Sequence, residues 1–130
     1  MFKRGDIVAY HYLWSRQAEA GEETGRKARP TCLLIATRGD PQRLYLFPIT
    51  TQAPHGRAAV AIPDIERRRA GLGAPSWVIV DELNLATSDA LHDVAAPKPL
   101  GSFSPAFLRS IARVAADRIT QGLTKIVRRT

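Results

Sequence analysis

One cysteine in a chain of 130 residues leaves Cys32 without a partner for an internal disulfide. The three histidines are scattered, and no Cys/His group has the spacing of metal ligands. Disulfide scaffolds and zinc modules are therefore excluded. Long apolar runs are missing as well: the basic start Met1-Phe2-Lys3-Arg4 has no apolar stretch behind it, and later runs fall far short of the ~20 residues of a membrane span. A soluble, cytoplasmic protein is expected. No Gly-x-Ser-x-Gly elbow is present, which argues against a Ser/His/Asp hydrolase. The Gly-containing stretch Gly21-Glu22-Glu23-Thr24-Gly25-Arg26-Lys27 lacks a Lys-Ser/Thr pair in register and is too acidic to cradle a nucleotide.

What the chain does have is enough length for one domain over residues 1–130, burying roughly two thirds of its unfolded surface. It also has positive charge. The formal net charge is +7, distributed as +2 over residues 1–30, +3 over 31–75, −4 over 76–97 and +6 over 98–130. A basic surface steers polyanions toward itself, and arginine, the commoner cation here, grips phosphate bidentately and stacks on bases. Nucleic acid is a natural partner on these grounds.

Residues 7–14, dense in β-branched and aromatic side chains behind the turn signal Gly5-Asp6, read as a first strand. The polar stretch from Ser15 to Ala28 reads as a mobile surface loop. Apolar runs at 31–37, 44–49, 58–62 and 77–80 read as four further strands, with a turn at Arg38-Gly39-Asp40-Pro41. Pro48, which cannot donate to a ladder, is expected at the end, edge or bulge of its strand. Asp64 is placed to cap a short helical turn ending at Gly71, its three arginines facing water.

Ser104 and Pro105 read as N-cap and first residue of a terminal helix. Its apolar face is predicted as Phe107, Leu108, Ile111, Val114, Ala115 and Ile119, its stop as Gly122, and Arg113 and Asp117 are one turn apart as an ion pair. Five short strands and a C-terminal helix predict a mainly β protein, a small curved sheet or barrel closed by a helix.

Taken in order, Gly5-Asp6-Ile7-Val8, a loop ending in Lys27-Ala28-Arg29-Pro30, a buried strand, Pro48-Ile49-Thr50-Thr51-Gln52, Gly71-Leu72 and Trp77-Val78-Ile79-Val80-Asp81-Glu82 resemble the PemK/MazF family of toxins from bacterial toxin–antitoxin pairs. The resemblance spans most of the chain. It implies an SH3-like β-barrel with a C-terminal helix, a homodimer, and a metal-independent, cofactor-free endoribonuclease silenced by a cognate antitoxin. It also implies that Arg29, before proline at the head of the second strand, and Thr50, after the isoleucine ending the third, are catalytic, with Glu82 at the acidic position. The chemistry suits those residue types. RNA cleaves when its 2′-hydroxyl attacks the adjacent phosphorus, and a fixed guanidinium and a hydroxyl stabilise the charge that develops.

The pattern departs from the family where Val80 stands in place of an arginine, and where Glu82-Leu83-Asn84-Leu85-Ala86 replaces the usual continuation. Whether Glu82, Asp81 or neither serves as general base stays open. Arg26, Lys27, Thr51, Gln52, His55 and Arg57 are the candidate RNA contacts. His55 is alternatively a solvated loop histidine, and Arg29 alternatively the partner of a loop glutamate. Two other functions compete: a non-catalytic barrel that binds nucleic acid or protein, and DNA binding through Arg67-Arg68-Arg69.

Overall fold

The computed structural model describes residues 2–35, 39 and 41–129. It is a mainly antiparallel, eight-stranded sheet with a long C-terminal helix. In chain order the elements are β1 (Asp6–Tyr10), α1 (Ser15–Glu19), β2 (Arg29–Ile35), β3 (Arg43–Thr50), β4 (Ala59–Ala61), α2 (Asp64–Arg69), β5 (Trp77–Ile79), β6 (Glu82–Thr87), β7 (Gly101–Ser102), α3 (Pro105–Thr120) and β8 (Lys125–Arg128). The spatial order is β4-β5-β3-β2-β1-β7, with β6 also on β3 and β8 parallel on β6. Among the described residues no helix is long and apolar enough to cross a membrane.

Alternation along the strands divides their side chains between two apolar layers. Ile7, Cys32, Phe47, Val78 and Leu83 pack on one face with Leu108, Ile111 and Ala115 of α3. Val8, Tyr10, Leu33, Leu46 and Ile79 pack on the other with Tyr12 and Trp14. Ser104 caps α3 by accepting the Phe107 amide at 3.2 Å, Pro105 follows, and Gly122 leaves the helix at φ +71°. Val114 departs from the expected face and is 39% exposed, because Leu108, Ile111 and Ala115 already define the buried stripe. No Arg113–Asp117 ion pair forms among the described residues; Arg118 instead donates to the Leu123 carbonyl at 2.9 Å.

The expected strand over residues 7–14 ends at Tyr10. Beyond it the His11 amide donates to the Asp93 carbonyl, and the Asn84 carboxamide clamps Leu13 in both directions, at 2.9 and 2.7 Å. The strand mimicry of that side chain lets residues 11–14 leave the ladder while keeping their backbone groups satisfied. The segment read as a loop then opens with α1.

The second strand starts earlier than expected, at Arg29; Ala36, Thr37, Arg38 and Asp40 of its predicted end and turn lie outside the described residues. Pro48 lies inside β3, not at its end, at a break in the pairing along one side of the strand. On one side β3 pairs with β6 through Leu46 and with β5 from Ile49 onward, so Phe47 and Pro48 have no partner there. A residue without an amide hydrogen sits where the strand exchanges neighbours.

Three strands have no counterpart in the sequence reading: β6, whose polar Glu82 and Asn84 are buried, the two-residue β7, and β8. At α2 the cap position belongs to Pro63, and Asp64 lies in the first turn. Of the three arginines there, Arg67 does not simply face water; it donates to the Leu72 carbonyl at 3.0 Å. Buried Glu66 accepts from the Ser104 amide and hydroxyl at 2.8 and 2.7 Å, tying α2 to the start of α3.

Candidate functional site

An open cleft of about 510 Å³ lies where β2 begins and β3 ends. Trp14 and Arg16 line it from the start of α1, Arg29 and Pro30 from β2, Ile49 and Thr50 from β3, and Thr51 to His55 from the loop that follows; Arg57 and Ile79 complete it. The Thr31–Pro48 register of β2 and β3, carried two residues further, sets Arg29 opposite Thr50. An antiparallel pair thus delivers a cation and a hydroxyl from distant sequence positions to one wall.

Trp14 is the hub of this wall. Its ring is 7% exposed and has the guanidinium carbons of Arg16, Arg29 and Arg57 at 5.3, 5.0 and 5.4 Å from its centre, with Tyr12 edge-on at 5.0 Å. Each cation–π contact contributes about 0.5–2 kcal/mol, and together they hold three like charges near one another.

The three arginines differ in what neutralises them. Arg57 donates from Nε and Nη2 to Asp81, at 3.1 and 2.6 Å, and from Nη2 to Glu82 at 2.7 Å. Its pKa is raised, first of all by the bond to Asp81. Arg29 has no carboxylate partner among the described residues, and its Nε is buried without a hydrogen bond. Its pKa is lowered, by burial first and by Arg16 second. The loop glutamate expected as its alternative partner is not found at Arg29 among the described residues: Glu22 pairs with Arg26 at 2.8 Å, Glu19 approaches Lys125 at 3.9 Å, and Glu23 forms no ion pair there. A buried donor with no acceptor costs roughly 1–3 kcal/mol, and an incoming anion removes that cost.

Thr50 Oγ1 accepts the Gln52 amide at 3.1 Å. Because that bond uses only a lone pair, the hydroxyl proton is left to donate to a ligand. Thr51, Gln52 and His55 line the cleft and are exposed. Arg26 and Lys27 lie outside it, in an adjoining cavity of about 190 Å³ that shares Trp14, Arg16 and Arg29 with it.

Glu82 is not brought into the cleft. It is 4% exposed and accepts from the Tyr12 hydroxyl at 3.0 Å, the Ser15 amide at 2.9 Å and Arg57. With these partners it holds the segment carrying Trp14 and fixes Arg57. Burial, and then Glu82, raise the Tyr12 pKa well above the ordinary phenol value. Asp81 is likewise engaged by Arg57 and lines a different cavity. Neither Arg67, Arg68 nor Arg69 lines the cleft.

Trp14 and Arg16 are the cleft residues that sequence reading missed. Their signal was an aromatic two residues from an arginine, split between an assumed strand and an assumed loop. Among the described residues no group of three or more His, Cys, Asp or Glu side chains is placed to hold a metal ion. Neither the models of known protein families nor the curated proteins give a match to this chain.

The site as it stands is a partly apolar, strongly cationic cleft in which Arg16 and Arg29 have no carboxylate partner among the described residues, with the hydroxyls of Thr50 and Thr51 and one imidazole beside them. That combination suits a phosphodiester flanked by bases better than a hydrophobic ligand.

Proposed function

We propose that this chain is a toxin of the PemK/MazF kind, an endoribonuclease that cleaves single-stranded RNA by internal transesterification, on a sheet curled into an SH3-like barrel. The observation carrying this reading is the carboxylate-free Arg29 in the same cleft as Thr50, whose hydroxyl retains its proton.

In this reaction the 2′-oxygen attacks phosphorus, the P–O5′ bond breaks, and the products are a 2′,3′-cyclic phosphate and a 5′-hydroxyl. Arg29 stabilises the charge on the non-bridging oxygens as it grows, in a half-buried setting where an unpaired guanidinium acts more strongly than in water. Thr50 donates to one of those oxygens and fixes the diester. A proton leaves the 2′-hydroxyl and another reaches the 5′-oxygen. Histidine is the side-chain type that exchanges protons near neutral pH, and His55 is the histidine lining the cleft. Glu82 acts in this scheme as the anchor of Arg57 and of the Trp14 segment. Thr51, Gln52 and Arg57 contact the RNA from the cleft, and Arg26 and Lys27 receive it alongside. The reading brings with it a homodimer and an inhibitory antitoxin as partners.

The deciding experiment incubates the purified protein with single-stranded RNA in EDTA and analyses the ends of the fragments. Cuts that leave cyclic phosphate and depend on Arg29 support the nuclease; a salt-sensitive shift of intact RNA with no cuts overturns it in favour of a binding protein.

A further inference from the structure

A second cavity, of about 420 Å³, adjoins the cleft and shares Arg16 and Arg57 with it. Its other basic residues are Arg118 of α3 and Lys125 of β8. The carboxylates in its lining, Asp81 and Glu82, are both bonded to Arg57 and are outnumbered by the four basic side chains Arg16, Arg57, Arg118 and Lys125. Arg57 spends Nε and Nη2 on them, and its Nη1 makes no hydrogen bond among the described residues.

Arg118 repeats the situation of Arg29. Its Nη2 donates to the Leu123 carbonyl at 2.9 Å, while its Nε is buried without a partner. Among the described residues, the Nε atoms of Arg29 and Arg118 are the side-chain nitrogens or oxygens left buried and unmatched, and the two residues line neighbouring cavities. Buried donors are rarely left so, and a small turn of either side chain would bring its Nε to a water or an anion in the adjoining cavity. Among the described residues Lys125 meets only Glu19, at 3.9 Å between two exposed side chains, a contact worth little in water.

We infer that this second cavity is a phosphate subsite, in which Arg118 and Lys125 receive the phosphodiester neighbouring the one held by Arg29, with Arg57 standing between the two. The inference rests on the reading of the first cleft as the place where RNA binds. The ligand chemistry is that of a flexible polyanion with regularly repeated monoanionic groups, and single-stranded RNA supplies it. Of the four acids in residues 76–97, Asp81 and Glu82 reach the cavity, where four basic side chains outnumber them.

The test compares two uncleavable ligands bearing a 2′-deoxy sugar at the reacting position: a dinucleotide with a single phosphodiester and a hexanucleotide with five. Binding is measured by titration across a salt series for the parent, Arg118→Gln and Lys125→Gln, with thermal melts confirming that each is folded. The expected result is a roughly tenfold loss for the hexanucleotide with each substitution, and a salt slope shallower by about 0.7 for each phosphate no longer neutralised. The dinucleotide is expected to bind all three proteins alike. Equal losses for both ligands, or no loss for the hexanucleotide, overturn the subsite. Lys125 is largely exposed, so its variant remains informative if Arg118→Gln unfolds. The reading of the first cleft fails on a different result, namely Arg29→Ala binding the dinucleotide as tightly as the parent.

Discussion

The guanidinium of Arg29 stands 5.0 Å from the centre of the Trp14 ring with its Nε buried and unbonded. The ring fixes where the charge sits and leaves it un-neutralised, so the guanidinium is available to an anionic ligand without first breaking an ion pair.

Replacing Arg29 by Ala is expected to lower RNA cleavage by about 10²–10³, the usual effect of losing one preorganised donor to a developing oxyanion. Arg29→Lys restores little, since an ammonium lacks the planar fork and stacks poorly on the indole. Thermal melting should barely fall in either variant, because the loss of the contact with Trp14, about 0.5–2 kcal/mol, is offset by removal of a buried unbonded donor that costs roughly 1–3 kcal/mol. Initial rates on a fluorogenic oligonucleotide, read beside the melts, check both statements.

Thr50→Val keeps the shape and removes the donor, and a loss of about 10² in rate is expected, with Thr50→Ser retaining most of the activity. Because Oγ1 also accepts the Gln52 amide, the valine variant should show faster hydrogen exchange at residues 51 and 52. Equal activity in valine and threonine proteins would remove the hydroxyl from the mechanism.

Glu82→Gln should act on stability before chemistry. It leaves Arg57 paired with Asp81 alone and gives Tyr12 and the Ser15 amide a poorer acceptor, a loss of about 1–3 kcal/mol. Urea unfolding measures the loss. Activity per folded molecule should change far less; a variant of undiminished stability and abolished turnover would instead mark Glu82 as the base.

Alkaline pH should unfold the protein. Burial pushes the Cys32 thiol up to about 12, and burial, outweighing Arg129, pushes Tyr10 to about 12. Tyr12 is raised in the same sense by burial and Glu82. From about pH 9 the unfolded chain binds fewer protons at these groups than the folded one, so stability present below that pH is lost as pH rises toward 12. The urea midpoint should fall steadily from pH 9 to 11, and Cys32 should resist thiol reagents at pH 8 until denaturant is added.

Apolar runs made β2, β3, β4 and β5 legible in the sequence, and Ser104-Pro105 with the stripe Leu108, Ile111 and Ala115 did the same for α3. β6 was obscured because its Glu82 and Asn84 are polar residues buried for their hydrogen bonds: a pattern of hydrophobicity cannot announce a side chain that is inside by virtue of its partners. β8 is short, and it exists because β6 offers it an edge. For the cleft, the family resemblance singled out Arg29 and Thr50, and the chemistry of the two residue types agreed with it. Which arginine is neutralised and which is not could not be read, because Arg57 and Asp81 meet only through the pairing of β4 with β5.

The exchange of neighbours at Pro48 has one more consequence. Since β3 carries no continuous rail of bonds through residues 47 and 48 on that side, the β4–β5 pair is hung from the last two residues of β3 rather than from the sheet as a whole. The two walls of the cleft therefore rest on different supports, Arg29 on the ladder between β2 and β3, and Arg57 on its bonds to Asp81 and Glu82 and on Val78 in the core beneath α3, so the width of the cleft is set there by ion pairing and side-chain packing rather than by continuous backbone pairing.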